Sequence, residues 1–307
     1  MTTPTTNFAD RLLAAIDRKG SPTCVGLDPV YEKLPEELRS VDASLEDRVE
    51  SIAIFCHEVI DVVAPYVPAV KPQIAYFERY GPDGLAAYYQ TVSAARGADL
   101  LVIGDVKRGD IGSTAQAYAE AHLTTLSEAG TAWTCAPDAV TVNGYFGADG
   151  TQPFIDTAHR QGGGVFVLVR TSNPGGAAVQ DFEGKDGRKF FVHMAEQVAR
   201  MGEGEGLVGQ SGYSCVGAVV GATYPDEARM LRQIMPRQIF LVPGYGAQGA
   251  TAQDCAASFD ATGRGAIVNA SRSVIFAHLK NKDVLWQKAV ELAAKAFADD
   301  IRHGLGG

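Results

Sequence analysis

Eight short apolar runs punctuate the chain: TCVGL from Thr23, PAV from Pro68, LLVIG from Leu100, AVTV from Ala139, VFVLV from Val165, CVGAVV from Cys215, IFLV from Ile239 and AIVN from Ala266. None alternates apolar with polar positions in the way a strand with one solvated face would. Near-continuous apolarity suits strands buried on both faces of a parallel sheet. Periodicity alone would also admit buried helix, but the length of the runs favours strand.

The segments between these runs carry helical signals. From Ser44, SLEDRVESIAIFCHEVIDVV sets apolar residues at helical spacing behind Ser44 and Asp47, a pair that fits a capping box. Comparable stretches open at Pro82, Ser113, Pro225 and Val284. Strand and helix therefore alternate about eight times, which predicts one α/β domain over residues 1–307, a (β/α)8 TIM barrel with loop insertions. An open, doubly wound sheet is the competing architecture. Three polar or glycine-rich segments read as insertions: YEKLPEELRSVDA from Tyr31, PGGAAVQDFEGKDGRK from Pro174 and GEGEGLVGQSGYS from Gly202. The first and third fit solvated surface loops. The second follows a strand end on the face where such barrels place their chemistry, where a long loop can serve as a lid.

Composition narrows the class. Of the 307 residues, 46% are hydrophobic and 21% charged, enough apolar material for a packed core and too much for a disordered chain. The 27 Lys and Arg against 36 Asp and Glu give a net charge of −9, which argues against a broad surface for nucleic acid or anionic membrane. An anionic ligand must then be held by a local cluster. The five cysteines are odd in number and never spaced C-x-x-C, so neither a disulfide framework nor a zinc site is expected. They read as reduced thiols of a cytoplasmic protein. The first residues lack a basic segment, and no 18 apolar residues occur in succession, so neither a signal peptide nor a membrane span is expected. The six histidines fall mostly in helical stretches, which leaves a histidine-based metal site without support.

In barrels of this kind the chemistry lies at the C-terminal ends of the strands. Here the residues that follow the runs are polar: Asp28, Lys71, Asp105 with Lys107, Asn143, Arg170 to Ser172, Thr223, Pro243 with Gly244, and Asn269 to Arg272. The densest group is DVKRGDIGST, residues 105–114. Asp105 and Lys107 are two apart on a segment expected to be extended, which would aim both side chains into the barrel mouth. Asp110 lies beyond the strand end. With Lys71 these residues make two cations and two carboxylates, a set that can neutralise itself although any member left alone would be costly to bury. A purely structural salt-bridge network is the plain alternative, weakened by lysines at two adjacent strand ends. The loops PGYGAQG from Pro243 and NASRSVIFA from Asn269 follow the seventh and eighth runs, the usual phosphate-binding position of this fold, where Arg272 could add a bidentate clamp.

DVKRGDIGST, with GLDP from Gly26, KPQIAYFE from Lys71, RTSNPG from Arg170, PGYGAQG and NASRSVIFA, resembles the orotidine 5'-phosphate decarboxylase family in its longer bacterial branch. The motifs keep the family's order from Gly26 to Ala277. The resemblance implies that Lys71, Asp105, Lys107 and Asp110 form a charged tetrad with Lys107 as proton donor, and that Asp28 holds a ribose hydroxyl. It further implies that Asp110 and Thr114 reach the ribose in a neighbouring subunit's site, which makes the protein a homodimer with shared sites. Ser172, or Thr171 by a shift of one residue, would read the pyrimidine, and Pro243, Gln248 and Arg272 would lie at the nucleotide, the last two on its phosphate. The implied reaction is loss of CO2 from orotidine 5'-monophosphate to give UMP, the last step of de novo UMP synthesis, with neither cofactor nor metal. Two departures stand out: Arg108-Gly109 replaces apolar or small residues of compact members, and Asn143 stands where several have His. Rival readings are a sugar-phosphate aldolase forming a Schiff base on Lys71 or Lys107, a metal-dependent phosphate lyase, and a non-catalytic nucleotide-phosphate binding protein.

Overall fold

The computed structural model describes residues 6–128, 131–132 and 134–306. All eight apolar runs are strands: β1 Thr23–Leu27, β2 Ala69–Pro72, β3 Leu101–Arg108, β4 Ala139–Val142, β5 Gly164–Arg170, β6 Ser214–Val220, β7 Gln238–Val242 and β8 Ala266–Ala270. Each pairs in parallel with its sequence neighbours, and β1 pairs with β8, so the sheet closes into a barrel. Closure rules out the open, doubly wound alternative. Strands enclosed by a ring of helices bury both faces, which is why β1, β2, β4, β6, β7 and β8 are buried at every residue and why their sequences do not alternate.

The helices start within two residues of their expected positions. The helix Leu45–Val63 opens on the Ser44–Asp47 capping box, each residue's side chain bonding the other's backbone N–H. Its buried residues Val49, Ile52, Cys56, Val59 and Val63 recur at the three- and four-residue spacing that makes one apolar stripe. Phe55 on the same helix stacks on Phe276 and tilts against Trp286, tying it to the C-terminal helix Trp286–Gly304.

The helix Phe8–Lys19 lies against the N-terminal ends of the strands, opposite the site face. Its Phe8 is buried edge-to-face on Phe166 and occupies the space that a Cβ on Gly164, the first residue of β5, would need. Arg11 donates to Asp138 Oδ1 at 2.6 Å, while Asp138 Oδ2 accepts from the backbone of Val102 at 2.9 Å, so one buried carboxylate joins this helix to the starts of β3 and β4.

Two of the three insertions are built into the fold more firmly than solvated loops. The Tyr31 segment forms two 3-10 turns, buries Leu34 completely and accepts the Trp286 indole N–H on Glu37. The Gly202 segment is held by Asp10, whose carboxylate accepts the backbone N–H groups of Gln210 and Ser211. No helix among the described residues is long and apolar enough to cross a membrane.

Candidate functional site

The polar residues at the ends of β2 and β3 converge on one buried carboxylate. Lys71, in the last half of β2 and buried, donates from Nζ to Asp105 Oδ2 at 2.6 Å. Lys107 Nζ donates to Asp105 Oδ1 at 2.5 Å, and the Thr141 hydroxyl of β4 donates to the same oxygen at 2.9 Å. Burial alone would raise the Asp105 carboxyl, but the two ammonium groups reverse the effect and hold it well below the ordinary carboxylate range. Burial alone would lower Lys71, and Asp105 with Asp28 pushes it the other way, so its ammonium stays charged. The group is therefore one buried anion between two cations, each supplying the compensation that the others need.

Asp105 and Lys107 do meet at the mouth, but not by the strand alternation expected from the sequence. The strand β3 runs on past its apolar stretch to Arg108, and its register against β4 slips: Gly104 faces Val140, whereas Arg108 faces Val142. Lys107 sits in this bulge with φ +45°, one of two non-glycine residues with positive φ among those described. A left-handed lysine costs on the order of 1–3 kcal/mol and persists only where its surroundings impose it.

A cavity of about 340 Å³ opens over this group, lined by Lys71, Asp105, Lys107, Thr141, Ser172 and Pro243 with Leu168, Val219 and Leu241 as an apolar wall. Gly221, just past β6, admits Ser172 here: a Cβ on it would lie 3.0 Å from the Ser172 backbone and Cβ. Thr171 also lines the cavity. Its hydroxyl, however, accepts from Gln180 Nε2 at 2.7 Å and donates to Asn173 Oδ1 at 2.7 Å, so it is engaged within the inserted segment. Ser172 makes no such bond in the described structure.

Around the rim, four buried polar atoms at three strand ends have no protein partner: Asp28 Oδ1 after β1, Thr223 Oγ1 after β6, Asn269 Oδ1 in β8 and Ser271 Oγ after it. Buried polar atoms are normally bonded, so this ring suits a polar ligand. The Pro243–Ala250 loop turns on Gly244, whose φ of +113° excludes a side chain and whose missing Cβ leaves room for Gln248 Oε1. Arg272 opens a helix of one turn, Arg272–Ile275, and is exposed. So short a helix has little macrodipole, so an anion bound here would depend on the guanidinium and the loop backbone.

Not every expected residue joins the cavity. Asp110 accepts its neighbour Ile111's backbone N–H at 2.7 Å and lies outside the lining, and Thr114 is exposed on the helix Gly112–Leu123. Asp28, Gln248 and Arg272 stand outside the lining as well. Thr141 is the participant that sequence reading missed. Its only signal was a lone hydroxyl in the apolar run AVTV. Among the described residues no group of three or more His, Cys, Asp or Glu side chains is placed to hold a metal ion, and all five cysteines are unpaired.

Residues 21–284 match the model of the orotidine 5'-phosphate decarboxylase / HUMPS family. Over 305 residues the chain is 47% identical to an orotidine 5'-phosphate decarboxylase of Rhodopirellula baltica, covering 96% of this chain and 99% of that one. A Toxoplasma gondii chain whose crystal structure is assigned to orotidine-monophosphate decarboxylase superposes with a TM-score of 0.81 at 32% identity, over 99% of this chain and 98% of that one. The OMP decarboxylase of Leishmania donovani superposes with a TM-score of 0.75 at 29% identity, over 98% and 100% of the two chains.

Proposed function

The chain belongs to the orotidine 5'-phosphate decarboxylase / HUMPS family, and from that premise we propose that it is the carboxy-lyase that converts orotidine 5'-monophosphate to UMP and CO2. The observation that carries this reading is the Lys71–Asp105–Lys107 group at the floor of a partly apolar cavity. A simple binding site gains little from so costly an arrangement, and a reaction that passes through a carbanion gains a great deal.

In the reaction the bond from C6 to the carboxylate breaks, CO2 departs, and the electron pair remains on C6. Lys107 would stabilise that developing charge and then give C6 a proton, becoming a neutral amine that recovers its proton from water. Asp105 beside the substrate carboxylate would disfavour the ground state more than the transition state, in which that negative charge has moved to C6. Enzymes lower barriers by about 8–23 kcal/mol, and two charged side chains do not reach the upper end alone. Binding energy from the remote phosphate, held by Arg272 and Gln248, would supply the rest by fixing the mouth loops in their closed arrangement. Asp28 would take a ribose hydroxyl, Ser172 and the Pro243 backbone the pyrimidine. Asp105 and Asp28 favour the charged form of Lys71, which makes it a poor imine-forming nucleophile and counts against a Schiff-base aldolase built on that lysine.

The barrel over 1–307 would act as one unit and pair with a second copy. Ile111, Tyr145 and Phe146 are exposed by 57%, 71% and 45% beside Asp110, an apolar rim that suits a two-fold contact carrying Asp110 and Thr114 into the neighbouring site. The decisive experiment follows the loss of orotidine 5'-monophosphate absorbance and identifies the product by chromatography, before and after dialysis against a chelator. UMP formed at an unchanged rate supports the metal-free decarboxylase. Activity lost on chelation and restored by a divalent ion would move the chain to the metal-dependent lyases.

A further inference from the structure

The bulge that turns Lys107 toward Asp105 removes it from the regular β3–β4 ladder, and its backbone N–H finds another acceptor. That acceptor is Thr141 Oγ1, at 3.0 Å. The same hydroxyl donates its proton to Asp105 Oδ1 at 2.9 Å, and Asp105 Oδ1 receives the Lys107 ammonium at 2.5 Å. The three contacts close a ring from the Lys107 backbone through Thr141 and Asp105 to the tip of the Lys107 side chain. Thr141 is 1% exposed, and a hydroxyl so buried has no solvent alternative for either bond.

We propose that Thr141 is a positioning residue for this reaction: by accepting from the Lys107 backbone and donating to Asp105, it holds Lys107 in its left-handed conformation and sets where the ammonium stands. Lys107 is the member of the group with a half-exposed side chain, at 47%, so packing constrains it less than its 8% exposed partners. Its placement depends on the backbone at the bulge, where the Thr141 hydroxyl is the cross-strand contact of Lys107 itself, beside the bond from Asn143 N–H to Arg108 C=O at 2.8 Å. The proposal rests on Lys107 being the proton donor.

Thr141→Val keeps the shape and removes both bonds, while Thr141→Ser keeps the hydroxyl and removes a methyl. Decarboxylation kinetics are measured for both beside the wild type, together with melting temperature and hydrogen–deuterium exchange of the Lys107 amide. The valine variant should lose about 10- to 100-fold in kcat with KM changed less than about threefold, as a misplaced reacting group does. Its Lys107 amide should exchange faster, and serine should restore both properties to within a few fold. A valine variant with wild-type kcat would overturn the proposal, as would a serine variant as impaired as valine. An amide whose exchange is the same in wild type and valine variant would show that the hydroxyl does not hold the bulge. A wild type that does not consume orotidine 5'-monophosphate would instead sink the decarboxylase reading, with the exchange data still deciding whether Thr141 fixes Lys107.

Discussion

Gln180 grips Thr171 from two sides: its amide oxygen accepts the Thr171 backbone N–H at 3.0 Å, and its amide nitrogen donates to Thr171 Oγ1 at 2.7 Å. Gln180 belongs to the inserted segment after β5, which Arg170 anchors. The Arg170 guanidinium is buried, paired with Glu227 at 2.7 Å and with Asp181 at 2.9 Å, and stacked 4.2 Å from the Tyr224 ring. A segment whose position would suit a lid is thus fastened at its root, and the fastening engages Thr171.

Of the two, Ser172 is the one whose side chain the inserted segment leaves unengaged, and the proposed pyrimidine contact falls to it. Ser172→Ala should lower kcat/KM for orotidine 5'-monophosphate about tenfold, the worth of one buried hydrogen bond. Thr171→Val should leave recognition nearly intact and make the inserted segment more sensitive to limited proteolysis. The reverse pattern would assign the pyrimidine contact to Thr171.

Lys107→Ala should nearly abolish turnover while weakening UMP binding only modestly, because its charge acts mostly in the transition state. Single-turnover rates with equilibrium binding of UMP separate the two effects. A variant that keeps a sizeable fraction of the wild-type rate would exclude Lys107 as the proton donor.

The Arg272 guanidinium makes no hydrogen bond or ion pair with another described residue; only the residue's backbone C=O is bonded, accepting from Phe276 N–H. Arg272→Ala should reduce kcat/KM by about 100-fold or more, with partial recovery in added guanidinium. Orotidine, which lacks the phosphate, should be turned over equally by variant and wild type. An equal penalty on both substrates would remove the phosphate clamp.

The position of Asp110 outside its own cavity gives a test of shared sites. Lys71→Ala and Asp110→Ala proteins, each nearly inactive, are unfolded together and refolded as a mixture. With Asp110 acting in trans, each hybrid dimer holds one intact site, and random pairing returns about a quarter of wild-type activity. Hybrids confirmed by mass spectrometry but without activity would place Asp110 in its own subunit's site.

His122 sets an acid limit on stability. Burial first, and the Arg108 charge second, lower its imidazole from 6.5 to about 4. The folded ring stays neutral while the unfolded chain takes up a proton below about 6.5, so this stability is present above that pH and is lost as pH falls toward 4. Between pH 7 and pH 5 the loss amounts to roughly 2 kcal/mol. His122→Gln should flatten the change in urea midpoint over that interval, and an unchanged slope would assign the acid sensitivity elsewhere.

The sequence by itself determined the barrel's alternation and most of the cavity's polar groups. Runs such as TCVGL and AVTV announce strands buried on both faces, and the Ser44–Asp47 cap announces a helix, because burial period and capping are local properties of the chain. The charged residues were legible for a related reason: Lys71, Asp105 and Lys107 follow apolar runs, and in a barrel that position alone places them at the mouth. Tertiary structure decided what depends on a neighbouring strand. Closure needs β1 to find β8, across most of the chain. The left-handed turn of Lys107 exists because β3 slips against β4, and the same slip turns Thr141, one hydroxyl in an apolar run, into the partner of both Lys107 and Asp105. Likewise Thr171 and Ser172, adjacent and chemically alike, are told apart only by Gln180 folding back onto the first. A hydrogen bond between distant residues leaves no period in the sequence, and there the legible part ends.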